Sequence, residues 1–503
     1  MKIKITIDTQ KFSYDIYHLI QAFYPGAELE MTVGETPFGE TPFGGISFGE
    51  EDGCRENAPD LAFAVRTSGG RFELMMEPGG EHECIDYRAD MPAAGQKNQL
   101  KRLVYSSLVK KNGRTLPWGD LSGIRPVKLA EELLEGGADR SAAARKMTEL
   151  YCVSEEKAAL ACGIAEREKR ILSGLPLEEG YSLYINIPFC PSICLYCTFG
   201  SNPIGQWERA VDPYLAALEK ELLAIRDLAD GKRLTSVYIG GGTPTSIRPD
   251  QMDRLLAFLG RTFPMEEPAE FTVEAGRPDT ITEEMLGVLR DHHVTRISIN
   301  PQTMNQKTLN LIGRRHRTED IIRAFALART AGFDNINMDM IVGLPGEGEA
   351  EVSRTLEAVR KLGPDGFTVH SLALKRAARL NLFRDVYAPI SFENSGVIMD
   401  RAAETATAMG MEPYYLYRQK NMAGNFENVG YSRPGCECLY NILVMEEKQT
   451  VLGAGCGAAS KFIRKDGRVG RAADVKSLTE YLNRTDEMIS RKLAAARASG
   501  LFL

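Results

Sequence analysis

Hydrophobic positions along the chain change rhythm near residue 180. Before it, KIKITID alternates apolar and polar residues as a half-buried strand does, and YDIYHLIQAF, from Tyr14, spaces its apolar positions as a helix. LAFAVR, FELMME and HECIDY follow, separated by the turn sequences TSGG and PGGE, and predict a three-stranded meander. NQLKRLVYSSLVKK predicts a helix ended at Asn112-Gly113, and three more helical patterns run through EELLEGG, SAAARKMTELY and SEEKAALACGIAEREKRIL. The segment from Gly34 to Gly45 contains ETPFG twice, a local duplication in a surface loop with no function assigned to it.

From Tyr181 strands alternate with helices. The strand candidates are YSLYINI, TSVYIGG, EFTVEAG, VTRISIN, NINMDMIVGLP and GFTVHSLAL, with amphipathic stretches such as VDPYLAALEKELLAIRDL between them. Six β-then-α units over ~200 residues predict a parallel sheet with right-handed crossovers, an α/β fold. Six units suit an open sheet or a partial barrel rather than a closed eight-stranded one, and ligands then bind at the C-terminal ends of the strands. The nearest boundary signal is SGLPLEEG. The expected organisation is an α+β and helical region over 1–172, a (β/α)6 core over 173–385, and an α/β extension over 386–503.

Composition narrows the class. At 503 residues the chain is too long for one small core, and 43% hydrophobic with 26% charged residues is ordinary for a soluble enzyme. A net charge of −7 argues against nucleic acid as the main partner. No apolar run reaches the ~20 residues that span a bilayer, and MKIKITIDTQ lacks the apolar core of a signal peptide, so a cytoplasmic protein is expected. Ten cysteines in a reducing compartment read as thiols or metal ligands rather than disulfides.

Candidate chemistry concentrates in YINIPFCPSICLYCTFGSN. Cys190, Cys194 and Cys197 form C-x3-C-x2-C on the loop after an apolar strand. Three thiolates there can hold three irons of a 4Fe–4S cluster and leave the fourth open to a ligand. Structural zinc, the alternative, takes four ligands, and His370 would have to supply the fourth from another strand. Gly240, Gly241, Gly242, Thr243 and Pro244 end the second strand; no Gly-Lys-Ser/Thr follows, so this is no P-loop, but glycines there let backbone approach a ligand closely. Glu274 ends the third strand, where a carboxylate can accept from a ribose or ammonium group.

These motifs together resemble the radical S-adenosylmethionine (SAM) enzymes. YINIPFC, GGGTPT, the spacing of Gln302 and Arg314, and DMIVGLP resemble the oxygen-independent coproporphyrinogen III oxidase family. LYRQKN…ENVGY and NILVMEEKQT resemble its HemZ-type branch, and the likeness spans roughly residues 181 to 460. The resemblance implies a partial (β/α)6 radical-SAM barrel, with SAM on the open iron of the cluster. It assigns SAM contacts to Tyr184, Gly241, Gly242, Thr243 and Glu274, and an aromatic neighbour of adenine or a second SAM to Tyr196. It assigns the lining of a second SAM site to Gln302, Arg314, Asp339 and Ala373. One electron from a low-potential flavodoxin or ferredoxin then cleaves SAM, and the resulting radical takes hydrogen from a propionate side chain. The implied outcome is coproporphyrinogen III converted to protoporphyrinogen IX. Two rivals share these motifs, a HemW-like haem carrier and a radical methyltransferase that opens haem. Asn186 departs from the family, which usually has histidine there.

A tetrapropionate substrate calls for several cations. Lys375, Arg376 and Arg379 follow the sixth strand, and Arg418 and Lys420 lie in the YRQKN loop; these are the expected substrate contacts, against the reading of a solvated basic loop. Cys436, Cys438 and Cys456 offer three thiols on separate segments and read as thiols rather than a second cluster.

Overall fold

The change of rhythm at residue 180 separates two sheets of different construction. The structure is a computed structural model, and it describes residues 1–34, 59–88, 90–121, 125–198, 200, 202–373, 394–419, 422–464 and 466–500. The chain divides into one unit of Met1–Gly163 with Arg418–Phe426, and another of Ile164–Tyr417 with Glu427–Leu503. The ETPFG duplication, Lys375, Arg376, Arg379 and Lys420 lie outside the described residues.

In the first unit β1 (Lys2–Ile7), α1 (Gln10–Phe23) and β2 (Glu28–Val33) are followed by β3 (Leu61–Ser68), β4 (Arg71–Glu77) and β5 (Glu81–Asp86). The expected meander is present as β3-β4-β5, and β1 pairs parallel with both β2 and β3, giving the order β2-β1-β3-β4-β5. The strand β2 was passed over although ELEMTV alternates and follows the turn residues Pro25-Gly26; its parallel pairing with β1 leaves no mark in the sequence. Alternation in β1 points Ile3, Ile5 and Ile7 to one face, where they meet Phe12, Ile16 and Leu19 of α1 in a wholly apolar core. The helix α2 (Ala93–Asn112) stops where expected, with Gly113 in the left-handed conformation at φ 64°. Then come α3 (Pro126–Glu135), α4 (Arg140–Tyr151) and α5 (Glu155–Leu172), the last belonging to the second unit from Ile164 on; Asp139 caps α4 by accepting from the Ala142 N–H.

In the second unit the six strand patterns become β6 (Gly180–Ile187), β7 (Arg233–Gly241), β8 (Glu270–Glu274), β9 (Arg296–Ser298), β10 (Ile336–Val342) and β11 (Gly366–Ser371), consecutive and parallel. Helices α6 (Val211–Leu228), α7 (Pro249–Thr262), α8 (Glu283–Asp291), α9 (Gln306–Leu311), α10 (Thr318–Thr330) and α11 (Glu349–Leu362) supply the crossovers. Strands covered on both faces read as nearly continuous apolar runs, and β6 is buried along almost its whole length. The helices bury one stripe, as in α6, where Tyr214, Leu215, Leu218, Leu222 and Ile225 recur at helical spacing.

The later residues extend the same sheet at both edges. After α12 (Gly396–Ala408), β12 (Glu412–Tyr417) and β13 (Asn428–Ser432) add antiparallel beyond β11. Beyond α13 (Leu439–Met445), β14 (Thr450–Ala454) pairs parallel with β6, and β15 (Ala459–Ile463) and β16 (Val469–Ala473) follow antiparallel. The order is β12-β13-β11-β10-β9-β8-β7-β6-β14-β15-β16, an open sheet of 11 strands without barrel closure among the described residues. Helices α14 (Leu478–Asn483) and α15 (Thr485–Ser499) end the described chain. No helix among the described residues is long and apolar enough to cross a membrane.

Candidate functional site

The cysteine loop is fixed at several points. It leaves β6 through the short pairing of Phe189–Cys190 with Asn202–Pro203, and the Cys197 N–H donates to the Cys194 carbonyl at 3.1 Å. Leu195 N–H donates to the Ile312 carbonyl at 3.0 Å, and Ser192 Oγ to the Gly313 carbonyl at 2.9 Å. Cys194 is buried and Cys190 and Cys197 are half-buried; none of the three is in a disulfide. No group of three or more His, Cys, Asp or Glu side chains among the described residues converges as ligands on one ion, these three included. A cubane does not need that, because each thiolate takes its own iron and the sulfurs stand farther apart.

The glycine loop lies directly against this one. Gly242 N–H donates to the Ile187 carbonyl at 2.9 Å and Thr243 N–H to the Phe189 carbonyl at 2.7 Å, while Thr243 Oγ1 lies 3.4 Å from Cys190 Sγ. A Cβ at Gly242 would fall 2.4 Å from the Phe189 carbonyl oxygen, and Gly241, at φ 110°, would bring one within 2.1 Å of Asn186 Oδ1. Neither position tolerates a side chain.

Glu274 ends β8 and accepts from Tyr238 Oη at 2.5 Å. Burial pushes its carboxyl up to about 7; the Asp339 charge adds to this, while Tyr238, Arg296 and the Gly241 N–H oppose it. Tyr184 and Tyr238 are register partners on β6 and β7, and Tyr440 of α13 stacks on both, at 5.8 and 4.5 Å between ring centroids. Gln302 holds a left-handed backbone at φ 63°, bridges to Met340, and exchanges backbone hydrogen bonds with Asp339 and Ile341. Its Oε1 is buried with no hydrogen-bond partner among the described residues. Such strain and such an unmet acceptor cost ~1–3 kcal/mol each and cluster at ligand sites.

Arg314 donates to the Asn300 and Gly276 carbonyls, and its charge lies beside Tyr196 and Cys194. For Asp339, burial acts to raise the carboxyl, yet His370, Asn337 and Thr368 outweigh it and hold it below the usual range. Ala373 follows β11 and is half-buried. Asn186 is committed on every side. Its Oδ1 accepts from Tyr184 Oη at 2.9 Å, its Nδ2 donates to the Cys456 carbonyl at 2.6 Å, and its own carbonyl accepts from Tyr214 Oη.

The structure thus gathers the cysteine loop, the glycine loop, Glu274, Gln302, Arg314 and Asp339 around the C-terminal ends of β6 to β10, in the second unit. The radical SAM superfamily model matches residues 184–359. Over 402 residues the chain is 42% identical to the oxygen-independent coproporphyrinogen-III oxidase-like protein HemZ of Bacillus subtilis (strain 168), covering 79% of this chain and 80% of that one. The chain belongs to the radical SAM superfamily, on its HemZ-type branch. Radical SAM proteins use a 4Fe–4S cluster together with SAM. The chain is also 36% identical over 195 residues to the haem chaperone HemW of Bacillus subtilis (strain 168), covering 39% of this chain and 51% of the chaperone. Among solved structures, the coproporphyrinogen III oxidase HemN of Escherichia coli superposes with a TM-score of 0.50 at 25% identity, covering 65% of this chain and 73% of that one.

The donor set fits the radical SAM cofactors: three thiols within eight residues, and a buried acceptor in Gln302 that no described residue satisfies. One expected substrate contact needs correction. Arg418 belongs to the first unit and is buried there, donating to the Leu121 carbonyl at 2.6 Å and to Asn425, with its guanidinium 5.5 Å from the Trp118 ring. It braces that unit's own backbone instead of facing a propionate. Sequence reasoning also passed over Arg277, Tyr238 and Tyr440. Arg277 and Tyr238 flank recognised strand ends by three residues or fewer, which is the signal that could have found them. Tyr440, on a helix far along the chain, carried none.

Proposed function

We propose that the chain catalyses oxygen-independent oxidative decarboxylation of coproporphyrinogen III, turning two propionates into vinyl groups and giving protoporphyrinogen IX. The observation that supports this reading is the ordered set at the ends of consecutive parallel strands: Cys190, Cys194, Cys197, then Gly241–Thr243, Glu274, Gln302, Arg314 and Asp339. In this reading Cys190, Cys194 and Cys197 hold the cluster, and Tyr184, Tyr196, Gly241, Gly242, Thr243 and Glu274 hold SAM. The cofactor pair supplies one-electron reductive cleavage of SAM, and with it a hydrogen-atom acceptor, in place of oxygen. Each propionate then loses one hydrogen atom, CO2 and one electron, which balances as a vinyl group. The residues' part is to orient and to exclude water. Tyr238 fixes the Glu274 carboxylate, and the three stacked tyrosines wall that side with apolar surface. Gln302, Arg314, Asp339 and Ala373 line a second SAM site; its buried unmet acceptor in Gln302 is what favours it. Equilibrium dialysis giving two SAM per chain, reduced to one in Gln302→Leu, is the expected result for that site.

The HemW match and the fully bonded Asn186, which cannot relay a proton as an imidazole can, favour a second reading as a haem carrier. Anaerobically reconstituted protein with SAM, reductant or flavodoxin, and either coproporphyrinogen III or haem separates them. The first reading expects a monovinyl intermediate, protoporphyrinogen IX, and two CO2 per tetrapyrrole. Haem bound one to one without turnover overturns it in favour of the carrier, and a methylated linear tetrapyrrole overturns both.

A further inference from the structure

Arg277 lies in the loop that leaves β8, three residues beyond Glu274, and its side chain is only 3% exposed. All of its guanidinium is engaged. Nε and Nη2 grip Asp279 at 3.0 and 2.9 Å, while Nη1 donates to Ser192 Oγ at 3.0 Å and reaches Cys194 Sγ at 3.9 Å, within the longer range of an N–H···S contact. Ser192 passes the tie on to the Gly313 carbonyl. The middle cysteine is therefore held between two loops by one planar fork, a geometry that lysine could not reproduce.

Positive charge gathers at Cys194. Arg314, also buried, brings a second guanidinium to the same sulfur. The neighbouring His316 adds no charge: burial first, then Arg314 and Arg277, push its ring down to about 4, and neither ring nitrogen has a hydrogen-bond partner among the described residues. Asp279, gripped on the far side of the fork, is the carboxylate that Arg277 holds. Away from water such charges are weakly screened.

We propose that Arg277 is a positioning residue for the iron–sulfur cluster, donating to the Cys194 thiolate and raising the cluster's reduction potential. The inference rests on Cys190, Cys194 and Cys197 being the cluster ligands. Reduction adds one negative charge to the cluster, so a buried cation and an N–H···S bond at one ligand stabilise the reduced form more than the oxidised one. Asp279 acts in the opposite sense while keeping the fork in plane.

The test compares Arg277→Met, Arg277→Lys and Asp279→Asn with the unaltered chain. Each is reconstituted anaerobically, assayed for iron and sulfide, and titrated potentiometrically with detection by electron paramagnetic resonance, in the absence of SAM. Arg277→Met should move the midpoint to more negative potential, Asp279→Asn to more positive potential, and Arg277→Lys should fall between Arg277→Met and the unaltered chain. Packing alone would not give shifts of opposite sign. A midpoint and g-values unchanged in Arg277→Met at equal iron content overturn the proposal, as do shifts of one sign in Arg277→Met and Asp279→Asn. Where Arg277→Met takes up no iron, the other two variants decide, and unmoved midpoints in both overturn it. An unaltered chain that takes up no cluster is a different failure: it removes the ligand assignment itself.

Discussion

Cys190, Cys194 and Cys197 share one loop whose middle sulfur lies beside two buried guanidiniums; Cys436, Cys438 and Cys456 lie on separate segments among carboxylates, with Arg296 also beside Cys436 and Cys438. Both sets offer three thiols. Burial, then the Glu270 charge, pushes Cys438 well above the usual thiol range, and its Sγ donates to Glu270 Oε1 at 3.4 Å. Cys456 is pushed up to about 12 by burial and then by Asp474 and Glu221, and its Sγ donates to the Lys476 carbonyl at 3.2 Å. Metal ligation needs the thiolate, so surroundings that hold the proton on sulfur disfavour ligation by Cys438 and Cys456, as their separate segments do. Burial acts first at Cys438 and Cys456, and at Cys438 the Glu270 charge is only partly offset by Arg296.

The largest effect expected from this contrast is on iron. Cys194→Ala should abolish the brown 4Fe–4S absorbance after reconstitution, and Cys438→Ala and Cys456→Ala should keep it in full. An iron loss in either of the latter would place the boundary between the two sets elsewhere. Next is stability around Cys456. Lys492 donates to both Glu221 and Asp474, all three buried, while Tyr214 and Tyr481 close the network. Lys492→Met leaves two carboxylates uncompensated and should cost ~3–5 kcal/mol in denaturant unfolding of the apoprotein. A loss under about 1 kcal/mol would mean the carboxylates are protonated at no expense.

Smaller, but more direct, is thiol reactivity. In the apoprotein under native conditions a maleimide should label the half-buried Cys190 and Cys197 and spare Cys438 and Cys456 until the protein unfolds. Mass spectrometry of digests reads this, and early labelling of Cys438 would contradict its burial. Least in size is the Glu274 titration. Its folded value, about 7, lies above that of an unfolded glutamate, so the folded state binds the extra proton between about 4.5 and 7. This contribution to stability is complete below the unfolded value and disappears as pH rises through 7, with a slope of at most about 1.4 kcal/mol per pH unit. Glu274→Gln should flatten that slope, measured by denaturation of the apoprotein from pH 5 to 8.

The sequence made the scaffold of the second unit legible, because β6 to β11 are apolar runs and their helices keep a strict amphipathic period. The strand-end motifs were legible for the same reason, each following a recognisable strand. Charge pairing across loops was not. Arg277 meets Ser192 from 85 residues away, and no local pattern records that. Arg418 shows the converse: an arginine in a polar, glycine-bearing loop reads as exposed, and only the fold reveals carbonyls of its own unit around it. The pairing of β14 with β6 was equally hidden, since parallel partners carry no turn between them.

That last pairing has a consequence for how the protein is made. Asn186 and its partner Cys456 are 270 residues apart, so the strand that leads into the cysteine loop leaves the ribosome long before the strand that flanks it. At roughly 5–20 residues per second the interval is about 10–50 s. Through that time the nascent loop lacks one wall, and its thiols are open to oxidation to sulfenic acid or mispairing. Cluster delivery to this protein is then best timed after release of the chain, and oxidant exposure should damage newly synthesised molecules far more than mature ones.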